Sequence, residues 1–322
     1  MRAAYAIAAD PDNPLAGLVV GDRPDPLAPD GWTTVRVRAA SLNHHDLWTL
    51  RGVGIKSEQF PMILGCDAAG IDTATGAEVV VHGVINSADW TGDDTLDPGR
   101  TLLSEKHQGS LAEYVIVPKR NVLAKPAELS FEQAACLPTA WLTAYRMLFT
   151  NSGLRPGQTV LVQGASGGVA TACITLGRAA GFRVWATART EAKQARALEL
   201  GAHASFASNE RLPERVDAVM ETVGDATWSH SMRALRPGGR IVISGATSGS
   251  MPPADLSRLF FLQLQVIGST MGTRQELLEL LAFLRASGTR PLIDRTLPLE
   301  RIAEGLRAME SGDLVGKIVI TL

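Results

Sequence analysis

Residues 160–170 read Val160-Leu161-Val162-Gln163-Gly164-Ala165-Ser166-Gly167-Gly168-Val169-Ala170. The apolar run predicts a buried strand, the glycines a tight turn, and the small residues after them a helix start. A dinucleotide needs that arrangement, because its phosphates bind backbone N–H groups at a helix N-terminus with no side chains in the way. Gly164, Ala165, Ser166, Gly167, Gly168 and Val169 are therefore the expected cofactor contacts. An ordinary glycine turn is the bland alternative. Working outward, the pattern predicts a helix over 170–180 ending at Gly181 and a strand over 183–188. A helix over 191–200 ends at Gly201, and strands follow over 216–222 and, after Pro237-Gly238-Gly239, over 240–244. Strands alternating with helices mean α/β with a doubly wound parallel Rossmann sheet.

The end of the second strand bears on the cofactor. An acid there would bond the ribose hydroxyls and repel a 2′-phosphate. This chain has Thr187-Ala188-Arg189-Thr190 instead, with Lys193 a turn later. A guanidinium and an ammonium suit an extra phosphate, so Thr187, Arg189 and Lys193 point to NADPH. Arg189 and Lys193 as solvated surface charges is the other reading.

The rest of the chain differs in texture. Residues 1–121 predict short strands, such as 34–40 and 78–84, punctuated by Pro, Asp and Gly, and 90–99 is an acidic, turn-rich surface loop. Apolar positions recur at helical spacing through 131–149. A last Rossmann strand is expected at 265–269, then helices at 275–286 and 301–310 and a closing strand at 317–321. The expected domains are 1–121 with 271–322 returning to it, and 122–270. A length of 322 residues suits two domains. A net charge of -2 without a basic run argues against nucleic acid, and no apolar stretch is long enough to span a membrane. Met1 leads straight into a strand pattern rather than a signal peptide, so a cytoplasmic location is expected. Cys66, Cys136 and Cys173 make neither a disulfide framework nor a Cys-x-x-Cys lobe.

Five ordered segments carry a family resemblance. They are Ser41-Leu42-Asn43-His44-His45-Asp46, Leu64-Gly65-Cys66-Asp67-Ala68-Ala69-Gly70, Gly109-Ser110-Leu111-Ala112-Glu113-Tyr114, Leu142-Thr143-Ala144-Tyr145 and Gly316-Lys317-Ile318-Val319. Together they resemble the medium-chain dehydrogenase/reductase superfamily, in its zinc-free quinone oxidoreductase and enone reductase branch. The resemblance implies a GroES-like β domain built from the N-terminal half and the C-terminal tail. It further implies an inserted Rossmann domain, an active site in the cleft between them, and a homodimer or tetramer, the dimer pairing through strand 265–269.

Zinc members place ligands at the positions that Asn43, Cys66 and Thr139 hold here. An amide, a thiol and a hydroxyl make a poor site for a Lewis-acid zinc, and 84–107, where a structural zinc lobe would lie, has no cysteine. A substitute from His44, His45 and Cys66 is disfavoured, since adjacent histidines in an extended segment face opposite ways. The expectation is no metal, and hydride transfer to a small apolar quinone or to the conjugated double bond of an enone. Asn43 would donate to the developing oxyanion or merely stabilise its loop. His45 lies at the hydroxyl-relay position and His44 at a pyrophosphate contact, each with a backbone-bonded histidine as alternative. Asp46 is the motif acid, more suited to orienting its neighbours than to acid chemistry. Thr143, Ser244, Gly245 and Lys317 are carried over as cofactor contacts, Lys317 reaching the adenosine phosphate. Trp48, Trp141 and Phe260 line an apolar pocket or pack in the core. An alcohol dehydrogenase with an unusual metal site and a non-catalytic NADPH-binding protein are the competing functions.

Overall fold

In the strand Trp32–Ser41, Thr33, Val35, Val37 and Ala39 are buried while Arg36 and Arg38 meet solvent. That period of two lays one face on a core. A computed structural model describes all 322 residues and places this strand inside a seven-stranded sheet. The order is Val122–Ala124, Glu78–Val81, Ala68–Asp72, Trp32–Ser41, Lys317–Thr321, Ile293–Pro298, with Tyr114–Pro118 also on Trp32–Ser41. The closing strand runs antiparallel to Trp32–Ser41, Val319 opposite Ser41, and parallel to Ile293–Pro298. Lys317 is thereby brought beside the turn that follows Ser41. Strand Ile293–Pro298 was not expected; Asp294, Arg295 and Pro298 break its apolar pattern.

The chain forms two compact units, Met1–Ala140 with Gly272–Ala286 and Ile293–Leu322, and Trp141–Met271 with residues 287–292. The first extends past residue 121 because helix Phe131–Ala135, capped by Ser130, buries Ala134 and Ala135 against strands of its own sheet. Stretch 131–149 is not one regular helix. Wide π-type turns at Leu137–Trp141 and Arg146–Asn151 flank Leu142–Tyr145, and Pro138, which has no N–H to give, sits in the first of them. The first unit's core includes Val35, Leu47, Leu64, Leu306 and Ile318.

The second unit is a six-stranded parallel sheet in the order Ala204–Ala207, Arg183–Ala188, Thr159–Val162, Val216–Glu221, Leu235–Ile243, Gln265–Gly268. The order reverses direction on either side of Thr159–Val162, as a doubly wound sheet requires. Trp185, Val219 and Ile241 pack its core with Leu161. The short strand Ala204–Ala207 escapes sequence reading because its four residues carry no clear alternation.

Candidate active site

In the second unit the strand Thr159–Val162 is wholly buried and ends in the glycine turn. Gly164 has φ +68, and a Cβ there would lie 2.8 Å from Val223 Cγ2, so glycine is required. Gly167 caps helix Gly168–Ala179 in extended conformation, and a Cβ added to it would meet nothing within 4 Å. The first-turn N–H groups of that helix have no intrahelical acceptor. The turn thus offers amides, the helix dipole and open space to an anion.

Two expected contacts face inward instead. Ala165 is fully buried and its N–H donates to Thr187 O at 2.8 Å. The buried Thr187 hydroxyl donates to Gln163 Oε1 at 2.6 Å. Both brace the turn, since neighbouring parallel strands place their carboxyl ends side by side. Gln163 Nε2 donates to Ser231 Oγ at 2.9 Å, and Ser231 Oγ to Glu221 Oε2 at 2.6 Å. Glu221 Oε1 accepts from the N–H groups of Val223 and Gly224. Gln163 and Glu221 were missed; a polar residue within or closing an otherwise apolar strand was the available signal. Arg189 is exposed just beyond strand Arg183–Ala188, and Lys193 lies in the first turn of Glu191–Glu199, whose cap is Thr190. Ser244 Oγ donates to Met147 Sδ at 3.0 Å, and Gly245 leaves only 3.0 Å between an added Cβ and Thr222 O. Thr143 is buried, as is Trp141, whose indole N–H has no partner. Phe260 is exposed against Phe261 rather than lining a pocket.

In the first unit, His44 and His45 open helix His44–Leu50 rather than an extended segment, so they point about 100° apart rather than to opposite faces. Asn43 caps that helix. Asp46 Oδ2 accepts from Asn43 N at 2.8 Å, and Oδ1 accepts from Gly65 N at 2.9 Å. Complete burial raises the Asp46 carboxyl above the usual range against the pull of those two N–H groups. Its oxygens hold backbone, which makes Asp46 a structural acid.

The Asn43 amide is consumed within the unit. Nδ2 donates to Asp67 Oδ2 at 2.8 Å and to Ser41 O at 3.2 Å, and Oδ1 accepts from Lys317 Nζ at 2.7 Å. No N–H remains for an oxyanion. Lys317 is 3% exposed, and its Nζ also donates to Leu42 O at 2.6 Å and lies 3.6 Å from Asp67 Oδ2. It cannot serve as the expected phosphate contact, because the strand register aims it into its own sheet's end. Asp67 accepts further from Ser41 Oγ and Thr139 Oγ1, each at 2.6 Å.

His45 is half-buried, its Nε2 3.3 Å from Glu105 Oε1 and its Nδ1 3.3 Å from Ser104 Oγ. Glu105 Oε2 accepts from Thr101 Oγ1 at 3.0 Å and Leu102 N at 2.9 Å. Burial alone would raise the Glu105 carboxyl, but hydrogen bonds from His45 and Leu102 outweigh it and hold it below the usual range. Glu105 also lines an open cleft of about 600 Å³ with Lys56, Gln59, Arg100 and Thr101. Trp48 is partly exposed beside His44.

Family models for an alcohol dehydrogenase GroES-like domain and a zinc-binding dehydrogenase match residues 29–127 and 168–286. A solved structure described as an NAD-dependent alcohol dehydrogenase shares 34% identity at a TM-score of 0.92, covering 100% of both chains. The chain belongs to the medium-chain dehydrogenase/reductase superfamily. Similar superfamily members include a quinone oxidoreductase of Lama guanicoe, 29% identical over 315 residues, 92% of this chain and 91% of that protein. Another is an acryloyl-coenzyme A reductase of Metallosphaera sedula, 29% identical over 325 residues, 95% and 96% of the two chains.

The superfamily's zinc does not fit the residues present. Cys66 Sγ lies 3.3 Å from Thr139 Oγ1, and burial, with the Asp67 and Asp46 charges, pushes its thiol well above the ordinary range. Asn43 and Thr139 beside it add only an amide and a hydroxyl, poor donors for zinc. Asp67 already accepts from Ser41, Asn43 and Thr139, and the Lys317 ammonium lies 3.6 Å from its Oδ2.

Proposed function

We propose that this superfamily member is an NADPH-dependent reductase that passes a hydride to a quinone or to the conjugated double bond of an enone, without catalytic zinc. The observation that carries the reading is the knot of Asn43, Cys66, Asp67, Thr139 and Lys317, a set suited to holding backbone rather than a Lewis acid. Conjugated acceptors suit a site without such an ion, because the charge that hydride addition creates spreads into an enolate or hydroquinone. The names of the quinone and acryloyl-coenzyme A relatives support that substrate chemistry.

When bound, the cofactor supplies a hydride from its nicotinamide ring. The N–H groups of Gly167, Gly168 and Val169, with Ser166, cradle the pyrophosphate; Arg189 and Lys193 take the 2′-phosphate; His44, Thr143, Ser244 and Gly245 complete the contacts. Asn43 and Asp46 fix the start of helix His44–Leu50. His45, oriented by Glu105 and Ser104, holds the proton that balances the hydride. Gln265–Gly268, an exposed edge strand, pairs two copies into a homodimer. No helix is long and apolar enough to cross a membrane, and we place the enzyme in the cytoplasm.

The test is oxidation of NADPH and of NADH by the protein, with and without chelator treatment, against quinones, 2-alkenones and simple ketones, with products identified. Hydroquinones or saturated ketones formed preferentially with NADPH are the expected result. Activity confined to simple ketones and abolished by chelator would revive the metal-dependent alcohol dehydrogenase, and NADPH binding without turnover would leave a non-catalytic binder.

A further inference from the structure

The open cleft of about 600 Å³ in the first unit carries more positive than negative side chains. Lys56, Arg100 and Lys106 line it, and Glu58 and Glu105 are the acids that share it. Glu105 is already engaged: Oε1 lies 3.3 Å from His45 Nε2, and Oε2 accepts from Thr101 Oγ1 and Leu102 N. No carboxylate forms an ion pair with Lys56, Arg100 or Lys106. Arg100 gives one N–H to Asp97 O at 3.3 Å and keeps the rest of its guanidinium. The walls of the cleft are pinned to each other. Gln59 Nε2 donates to Glu105 O at 2.7 Å, and Gln59 Oε1 accepts from Lys56 N at 2.7 Å, so the backbone that carries Lys56 is held against the stretch 100–106. Glu105 belongs at once to this cleft and to His45.

We propose that the cleft is an anion subsite for the substrate: the conjugated acceptor bears a phosphate or a carboxylate beyond its reacting atoms, and Lys56, Arg100 and Lys106 hold that group. The inference deepens the proposed function and rests on its placing the proton at His45, one side chain away from the cleft. Three cations gathered in one cleft repel one another and gain no protein counter-charge, so they add nothing to stability there. An arriving anion meets all three. Each contact is solvated and individually small, but Arg100 can present two parallel N–H groups to a phosphate or carboxylate, and the lysines add point charges. These are specificity residues. The anion lies away from the reacting atoms and is held equally before and during hydride transfer, so its binding lowers KM and leaves kcat alone.

The test uses three 2-alkenones of equal chain length, ending in a phosphate, a carboxylate or a neutral amide, with wild type and with K56Q/R100Q/K106Q. In the wild type kcat/KM for the better of the two anionic substrates should exceed that for the amide at least about tenfold, through KM. The ratio should fall toward one in the triple variant and shrink in the wild type as salt is added. The phosphate and carboxylate arms identify which anion the cleft takes. Equal KM for charged and neutral substrates, or a preference that survives in the triple variant, would overturn the proposal. A second reading needs no turnover: a saturated alkyl phosphate and alkyl carboxylate, titrated calorimetrically in the presence of NADP⁺, should bind wild type at least about tenfold more tightly than the triple variant in one of the two cases. Equal binding would overturn the subsite. Reduction of the amide substrate without any charge preference would keep the assigned reaction and remove the subsite, whereas tighter anion binding by wild type without reduction of any enone would keep the subsite and remove the reaction.

Discussion

The two units each bury a polar network beside their candidate functional residues, and the networks end differently. In the first, Ser41, Asn43, Asp67, Thr139 and Lys317 point their donors and acceptors at one another and hold two opposite charges in the interior. In the second, Gln163, Thr187, Ser231 and Glu221 brace the strand ends from below, while the helix N-terminus above them keeps its N–H groups for a ligand. A closed network positions; an open one receives. Substitutions in the first should therefore appear as lost stability, and substitutions at the open end of the second as lost or redirected cofactor binding.

The largest break is expected at Asp67. D67A leaves the Lys317 ammonium buried without a counter-charge and frees Ser41, Asn43 and Thr139 together, which should cost about 3–5 kcal/mol of unfolding free energy. Denaturant titration measures it, and a loss under about 1 kcal/mol would mean that the closed network contributes little beyond its shape. The next effect sharpens the open side. R189E replaces the guanidinium expected at the 2′-phosphate by a repelling acid, and should shift the NADPH to NADH ratio of kcat/KM by about 10- to 100-fold toward NADH, as loss of a charged hydrogen bond worth about 1.5–3 kcal/mol would do. An unchanged ratio would assign Arg189 to the solvated surface. G164A comes third. It forces a side chain onto a backbone at φ +68 with Val223 Cγ2 2.8 Å away, and should cost about 1–2 kcal/mol of stability and weaken NADPH binding. Binding and melting temperature at wild-type values would show that the turn can be rebuilt without glycine.

How far the sequence speaks differs between the networks for a physical reason. The glycine turn, the strands beside it and the first-turn amides are local features, written within about a dozen residues by apolar runs and breakers. The closed network is assembled across separations of 26, 72 and 274 residues, and only the sheet register brings its members together. Asn43 and Lys317 were visible as motif residues, but the partners that consume their polar atoms were not, so a substrate donor and a phosphate contact were expected where there are two positioning groups. Ala165 and Thr187 are a milder case: the turn was legible, whereas which of its N–H groups face inward depends on the neighbouring parallel strand. Glu105 lies in a segment without periodicity, and its partner His45 is 60 residues away.

The smallest effect lies at the edge of the closed network, in that same pair. Glu105 is held below the usual carboxylate range because hydrogen bonds from His45 and Leu102 outweigh its burial. A carboxyl depressed by folding contributes stability that is present above its unfolded value, about 4.3, and disappears as the pH falls through its lower folded value. Wild-type protein should therefore exceed E105Q by under about 1 kcal/mol at neutral pH, since the group is partly solvated. The gap should narrow as the pH drops below about 5. Paired denaturant curves from pH 7 to pH 4 read it. A gap that widened on acidification would show that Glu105 takes up its proton more readily folded than unfolded, and His45 would then lack the fixed carboxylate that orients it.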